Sequence, residues 1–240
     1  MIALIQARMG SSRLPCKVLT EIFEGKTVLD LICEKLCDSN VSNYIILTST
    51  NERDNVIVDY AIKNQIRYFR GSESDVLERF CSAIDQINVP AFIRVCADNP
   101  LLSLTFLNDL VTDMKDLDYL SHSVNSTPGI KTHFGLFAEA VNSSALLKLN
   151  EELPKDSHLR EHVTAGLYTN KAKFKCEFIE VKHLKPNLRF TIDDLEDLEI
   201  MKSVLKTSNI DFGDPNSLSK SLINPDQEAR MLKQIRKYEK

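Results

Sequence analysis

Arg8, Arg13 and Lys17 stand within the stretch IQARMGSSRLPCK, which follows an apolar run at the start of the chain. Gly10, Ser11 and Ser12 lie between the two arginines. Small residues leave the backbone free to present N–H groups. Guanidinium forks and an ammonium neutralise phosphate oxygens. The stretch is therefore suited to cradling a polyphosphate. It is not a P-loop, because GxxxxGK[ST] is absent, and it is not a dinucleotide fingerprint, because Gly10 stands alone. The bland alternative is a solvated surface turn.

Two acidic positions far along the chain bear on that choice. Asp98 lies in RVCADNP and Asp193 in LRFTIDDLEDL, each just after an apolar run. Mg²⁺ takes one or two carboxylates together with phosphate oxygens. Two aspartates at strand ends on one rim would share such an ion. Taken singly, Asp98 reads equally as a turn residue before Pro100. Asp193 or Asp194 reads equally as the N-cap of the helix that follows. Together with the basic loop, the metal–polyphosphate reading is the better one.

The elements that must position these residues follow from periodicity. IALI reads as a buried strand, and YIILT, IRYF and AFIRVC read as further strands. Thr27 caps a helix that runs to Asp38, with Val28, Leu31, Ile32 and Leu36 on one face. Further helices are expected over 54–64, 73–87 and 103–115. Alternation of strand and helix argues for an α/β fold with a mostly parallel sheet and helices on both faces. Ligands bind such sheets beyond the carboxyl ends of the strands. The loops there hold Gln6 to Lys17, Ser49 to Arg53, Arg70 with Gly71, and Asp98 with Asn99. Past residue 117, Tyr119 to Gly135 reads as a polar loop or lid with short strands, and His122 and His133 lie in it. Ser143 to Leu149 and Ser157 to Tyr168 read as helical, FKCEFIEV and LRFTI as strands, Asp194 to Leu205 as a helix, and Asp226 to Lys240 as a charged surface helix.

Composition narrows the classes. The chain has 240 residues, 43% hydrophobic and 27% charged, as expected of an ordinary globular protein. A net charge of −4 argues against a nucleic-acid partner, so any basic cluster has a local purpose. No apolar stretch approaches the roughly 20 residues that span a bilayer. The first residues reach Arg8 too soon for a signal peptide. A cytoplasmic protein with no membrane partner is expected. The six cysteines form no CxxC pair, which suits reduced thiols. Cys33 and Cys37, four apart on a helix, are a sparse metal set. HLREH, from His158 to His162, matches the H-x-x-E-H pattern of a zinc peptidase class, which needs a further ligand.

IQARMGSSRLPCKVL resembles the signature of the cytidylyltransferases that activate acidic sugars and spore-coat polysaccharide precursors, a family similar to the CMP-Kdo and acylneuraminate synthetases. YFRGSESDVLERF, IRVCADNPLL, GLFAEAVNSSAL, REHVT and LRFTIDDLEDL resemble successive blocks of that family, in its order, over roughly residues 2 to 200. The resemblance implies a three-layer αβα Rossmann-like nucleotidyltransferase fold with a mostly parallel central sheet and a small lid or dimerisation insertion. It places a nucleotidyltransferase domain over 1–210 and a helical extension over 211–240. It implies transfer of CMP from CTP to an acidic sugar or sugar precursor, with release of pyrophosphate. By position, Arg8, Arg13, Lys17 and Asp98 would be catalytic. Ala7, Gly10, Ser11, Ser12, Arg13, Lys17, Arg70, Gly71 and Asp98 would hold the nucleotide. Glu139, Arg160 and His162 would face the acceptor, and Asp98 and Asp193 would bind Mg²⁺. The partners implied are CTP and a sugar, with a homodimer as the assembly left open. Another NTP as donor, or an inactive nucleotide-sugar binding protein, are the alternatives. Cys16 stands where the family has glycine, and Phe137 where an aspartate of the acceptor region is expected.

Overall fold

The strand Ile2–Gln6 (β1) alternates its side chains between two packed faces. Ala3 and Ile5 enter one apolar cluster and Leu4 the other, as the two-residue period of a strand requires. The structure is a computed structural model that describes residues 1–182, 184–206 and 223–238. Nine further strands follow: Glu21–Phe23 (β2), Lys26–Thr27 (β3), Asn43–Ser49 (β4), Arg67–Gly71 (β5), Ala91–Cys96 (β6), Tyr119–Val124 (β7), Thr127–Pro128 (β8), Glu139–Asn142 (β9) and Cys176–Glu180 (β10). β2 and β3 form a separate hairpin; the rest make one sheet in the order β10-β7-β9-β6-β1-β4-β5, with β8 on β7. β1 pairs parallel with both β4 and β6, β4 with β5, and β10 with β7. β9 runs antiparallel to its neighbours β6 and β7.

Helices cover both sheet faces. Val28–Cys37, Asn55–Lys63, Leu104–Asp113 and Leu195–Lys206 pack on the face of Ala3 and Ile5; Val76–Ile87, Ser143–Glu152 and Ala165–Tyr168 pack on the face of Leu4. The result is the three-layer α/β arrangement expected. Thr27 caps its helix as expected, and a capping box forms, with Thr27 Oγ1 accepting from the Asp30 amide and the Asp30 carboxylate accepting from the Thr27 amide. Such a cap contributes about 1 kcal/mol. The helix Pro225–Tyr238 buries Met231 and Ile235 and packs on Leu195–Lys206. The expected boundary at 210 lies outside the described residues. Among the described residues no helix is long and apolar enough to cross a membrane.

Three local expectations are corrected. Tyr119 to Val124 is not a lid but a fully buried strand of the main sheet. Its polar side chains find tertiary partners: the Ser121 hydroxyl donates to the Ala138 carbonyl, and the His122 ring stacks near Phe106 and Phe137. LRFTI is extended but joins no ladder, because the Phe190 amide donates to His133 and the Ile192 amide to Asp98. Ser157 to Tyr168 is not one helix. It is a 3₁₀ turn at His158–Arg160, a tight turn, and the short helix Ala165–Tyr168.

The turn before Lys17 is strained at one residue. Cys16 has φ +64°, in the left-handed region, which costs a residue with a Cβ about 1–2 kcal/mol. Glycine adopts it freely but loses more entropy on folding. Cys16→Gly should therefore stabilise the protein by about 0.5–1 kcal/mol. The midpoint of urea unfolding checks this; an unchanged or lower midpoint would contradict it.

Candidate active site

The basic loop leaves the carboxyl end of β1 and is anchored at its start by a residue the sequence did not single out. Asp54 is buried, and its carboxylate accepts from the Met9 amide at 2.8 Å, the Ser49 amide at 3.1 Å and the Ser49 hydroxyl. The Ala7 amide is spent on the Leu47 carbonyl. Beyond that anchor the loop turns tightly, with the Ser11 and Cys16 amides both donating to Met9 O. Gly10 passes the Arg53 guanidinium so closely that a Cβ would sit 3.1 Å from it. Arg8, Gly10, Ser11, Ser12, Arg13 and Lys17 thereby line one chamber of about 250 Å³.

The two aspartates meet this loop. The Ile192 amide donates to the Asp98 carbonyl at 3.0 Å, which sets Asp193 beside the end of β6. Lys17 reaches between them. Its ammonium donates to Ile192 O at 2.8 Å and Asp98 Oδ2 at 3.3 Å, and lies 3.9 Å from Asp193 Oδ1. The other cations on Asp193 are Arg13, at 2.9 Å from Oδ1, and Arg189, at 2.8 Å from Oδ2. Arg189 is itself fixed by two bonds to the buried Asp197. Capping falls to the neighbour: Asp194 Oδ1 accepts from the Asp197 amide. That leaves Asp193 to face the loop.

A second chamber of about 400 Å³ adjoins the first, and Gln6, Cys96, Asp98 and Asp193 line both. Its far wall carries Arg94, Lys131, His133, Phe137, Glu161 and His162. The segment between β8 and β9 supplies several of these, so a short insertion does wall the site, although it starts later than the polar run suggested. Arg189 donates to His133 Nδ1 at 2.6 Å, which makes that nitrogen the acceptor. Asn99 Oδ1 and Thr191 Oγ1 are buried on this chamber with no protein hydrogen-bond partner. Burial pushes the Cys96 thiol up to about 11, so it is a neutral thiol at neutral pH. Arg8 spans the rim of the two chambers through an exposed ion pair with Glu161 at 3.6 Å.

The remaining sequence candidates have other surroundings. Glu139 is buried behind the second chamber. It pairs directly across strands with Arg94 and accepts from the Tyr119 and Thr164 hydroxyls, each at 2.7 Å. It meets the chamber only through Arg94, which also bonds Gln6 at 2.9 Å. Arg160 turns away from the chamber, bonding Asp75 at 2.7 Å and the carbonyls of Asn150 and Leu153. Arg70 is engaged with the Ser49 and Asn51 carbonyls and Asn55. Gly71 leaves room for the Arg79 stem, 2.7 Å from where a Cβ would stand. His158 and His162 do not share a helix face, and among the described residues no group of three or more His, Cys, Asp or Glu is placed to hold a metal. Among the described residues a zinc hydrolase therefore lacks its ligand set. Cys33 is pushed up to about 12 by burial, so it is a neutral thiol at neutral pH.

Sequence reasoning passed over Asp54, Arg94, Lys131 and Arg189. Arg94 and Arg189 had a signal: each is a lone charge inside an apolar run, and a buried charge needs a partner.

Comparisons with known proteins bear on the family and the fold. A family model described as Cytidylyltransferase matches residues 2–238. The spore coat polysaccharide biosynthesis protein SpsF of Bacillus subtilis (strain 168) is 31% identical over 208 residues, 84% of this chain and 84% of its own. A solved cytidylyltransferase from Leptospira borgpetersenii serovar Hardjo-bovis matches with a TM-score of 0.79 at 27% identity, over 96% of this chain and 95% of that one. CMP:2-keto-3-deoxy-manno-octonic acid synthetase, solved in complex with CTP, shares the fold with a TM-score of 0.63 at 16% identity, over 85% of this chain and 98% of that one.

Burial works against the charged form of Asp194, but hydrogen bonds from Lys237, the Asp197 amide and Tyr238 more than offset it. Its carboxyl is held well below the usual carboxylate range. In the unfolded chain it titrates near about 3.9. As pH falls, the unfolded chain takes up this proton first. The stability it confers is present above about pH 4 and is lost below. Lys237→Met should flatten that acid limb in urea unfolding measured from about pH 5 to 2. An acid slope identical to that of the unaltered protein would contradict the assignment.

Proposed function

This chain belongs to the cytidylyltransferase family of nucleotidyltransferases, and from that membership we propose that it transfers CMP from CTP to an acidic sugar and releases pyrophosphate. The observation that carries the reading is the meeting of a cation-lined chamber and a larger polar chamber at Asp98 and Asp193. A reaction between two bound substrates needs two such spaces with one shared wall.

On this reading the triphosphate occupies the smaller chamber. Arg8, Arg13 and Lys17 offset its charge, and the loop around Ser11 and Ser12 approaches it with backbone and hydroxyl groups. Arg13 and Lys17 now rest on carboxylates, so they exchange those partners for phosphate oxygens when nucleotide binds. The CTP held by a solved neighbour of this fold supports cytidine as the base. The sugar occupies the larger chamber. Arg94 and Lys131 suit an acid group, and Asn99 and Thr191 line the same chamber with buried oxygens that have no protein partner. An acceptor hydroxyl oxygen attacks the α-phosphorus as its proton is released to water, and the bond to the bridging oxygen breaks as pyrophosphate leaves in line. Lys17 and Arg13 offset the charge that grows on the leaving group.

The aspartate pair suits a divalent cation. Both side chains are partly exposed, 34% for Asp98 and 24% for Asp193, and they already flank one ammonium. Asp98 and Asp193 would hold Mg²⁺, which when bound would supply Lewis acidity toward an acceptor hydroxyl and the α-phosphate. The Bacillus subtilis relative is named for spore coat polysaccharide biosynthesis, which supports a product destined for a surface polysaccharide.

Pyrophosphate release, assayed with each NTP against a panel of sugar acids and neutral sugars, tests the reading. Release is expected with CTP and an acid. Release with another NTP, with neutral sugars alone, or with no pair would contradict it. Removing a preorganised donor of this kind costs about 2.7–4 kcal/mol. Lys17→Ala should therefore lower kcat by on the order of a hundredfold or more. A kcat within threefold of the unaltered enzyme would remove Lys17 from the mechanism.

A further inference from the structure

The C-terminal helix ends against the phosphate loop. The Tyr238 ring centroid lies 4.8 Å from the guanidinium carbon of Arg13 and 4.8 Å from that of Arg189. These are the two arginines that hold the separate carboxylate oxygens of Asp193. The Tyr238 hydroxyl donates to Asp194 Oδ2 at 2.7 Å, and Gln234 donates to Asp194 Oδ1 at 2.7 Å. One aromatic side chain thus touches both arginines of the aspartate pair while its hydroxyl is tied to the residue next to Asp193. Arg13 sits on the loop and is half exposed; Arg189 is buried and clamped by Asp197.

The consequence follows from what each partner can do during binding. An Arg13 guanidinium moving from Asp193 to a phosphate must break its bond to the carboxylate. Its contact with an aromatic face depends on neither partner, because the ring attracts the cation through its quadrupole and leaves the N–H edge free. We propose that Tyr238 is a positioning residue for the nucleotide, holding the Arg13 guanidinium at the chamber while its N–H groups pass from Asp193 to the triphosphate. This rests on the placement of the triphosphate in the basic chamber. It adds a residue more than 200 positions along the chain from that loop.

Inorganic tripolyphosphate is the probe, since it reports the phosphate site without a base or a sugar. Its Kd is measured by calorimetry on the full chain for Tyr238→Leu, Tyr238→Phe and Arg230→Met, with a thermal melt of each. Tyr238→Leu should weaken binding about three- to tenfold, the range of a cation–π contact. Tyr238→Phe keeps the ring and should bind as the unaltered protein does. Arg230→Met removes the ion pair of the same helix to Glu196, a contact apart from the ring, and should also leave binding unchanged. Equal binding by Tyr238→Leu, or equal loss in Tyr238→Phe or Arg230→Met, would overturn the proposal. In the last case helix docking, and not the ring face, would be the cause. Failure of the unaltered protein to bind tripolyphosphate would overturn it together with the phosphate chamber. Binding of tripolyphosphate without CTP turnover would count only against the nucleotide or the acceptor, leaving the Tyr238 result to stand by itself.

Discussion

A single ammonium ties three distant parts of the chain together. Lys17 comes from the loop after β1, Asp98 from the end of β6, and Ile192 with Asp193 from an extended segment near residue 190. Its side chain is only 13% exposed. Without that cation Asp98 would lose the one ion pair it has among the described residues, while Asp193 would keep Arg13 and Arg189. The same arrangement explains how a site of like charges is stable before any ligand arrives. Arg13, Lys17 and Arg189 supply the positive charge that Asp98, Asp193 and Asp197 require. A metal-chelated triphosphate brings both signs at once, so the residues can exchange partners without leaving a bare charge.

The second polar centre lies deeper. Arg94 and Glu139 face each other across β6 and β9, and the Tyr119 and Thr164 hydroxyls and the Gln6 amide complete the set. Burying such groups is costly unless each is satisfied. Here the network stands behind the larger chamber, which Arg94 and Gln6 line. Thr164 follows Val163, a β-branched residue at φ +55°. That backbone is held by a tight turn in which the Thr164 amide donates to His162 O at 2.6 Å. The strain falls where His162 must face the chamber while Thr164 faces Glu139, in keeping with its usual concentration at functional sites.

Much of the fold was legible because buried parallel strands write themselves as unbroken apolar runs. IALI, YIILT and AFIRVC needed no tertiary knowledge, and Thr27 with Asp30 announced its own helix. The strand Tyr119–Val124 was not legible. Ser121, His122 and Ser123 look like a solvated turn until Ala138, the Phe106 and Phe137 rings and Glu180 are known as partners. At the site, the basic loop and the two aspartates stood out as charge clustered after apolar runs. Arg160 looked equally functional in REHVT, but its guanidinium closes a structural clamp on Asp75 and Asn150. Asp54 gave no local sign at all, because its role is to accept from an amide 45 residues earlier.

The central claim is that the loop of Lys17 and the pair Asp98 and Asp193 grip one metal-chelated triphosphate. The most direct measurement is a crystal structure of the protein with CTP and Mg²⁺ bound. The account predicts phosphates against Ser11, Arg13 and Lys17, with the ion between the two carboxylates. Nucleotide seated in another cavity, or an ion bound away from both aspartates, would contradict it.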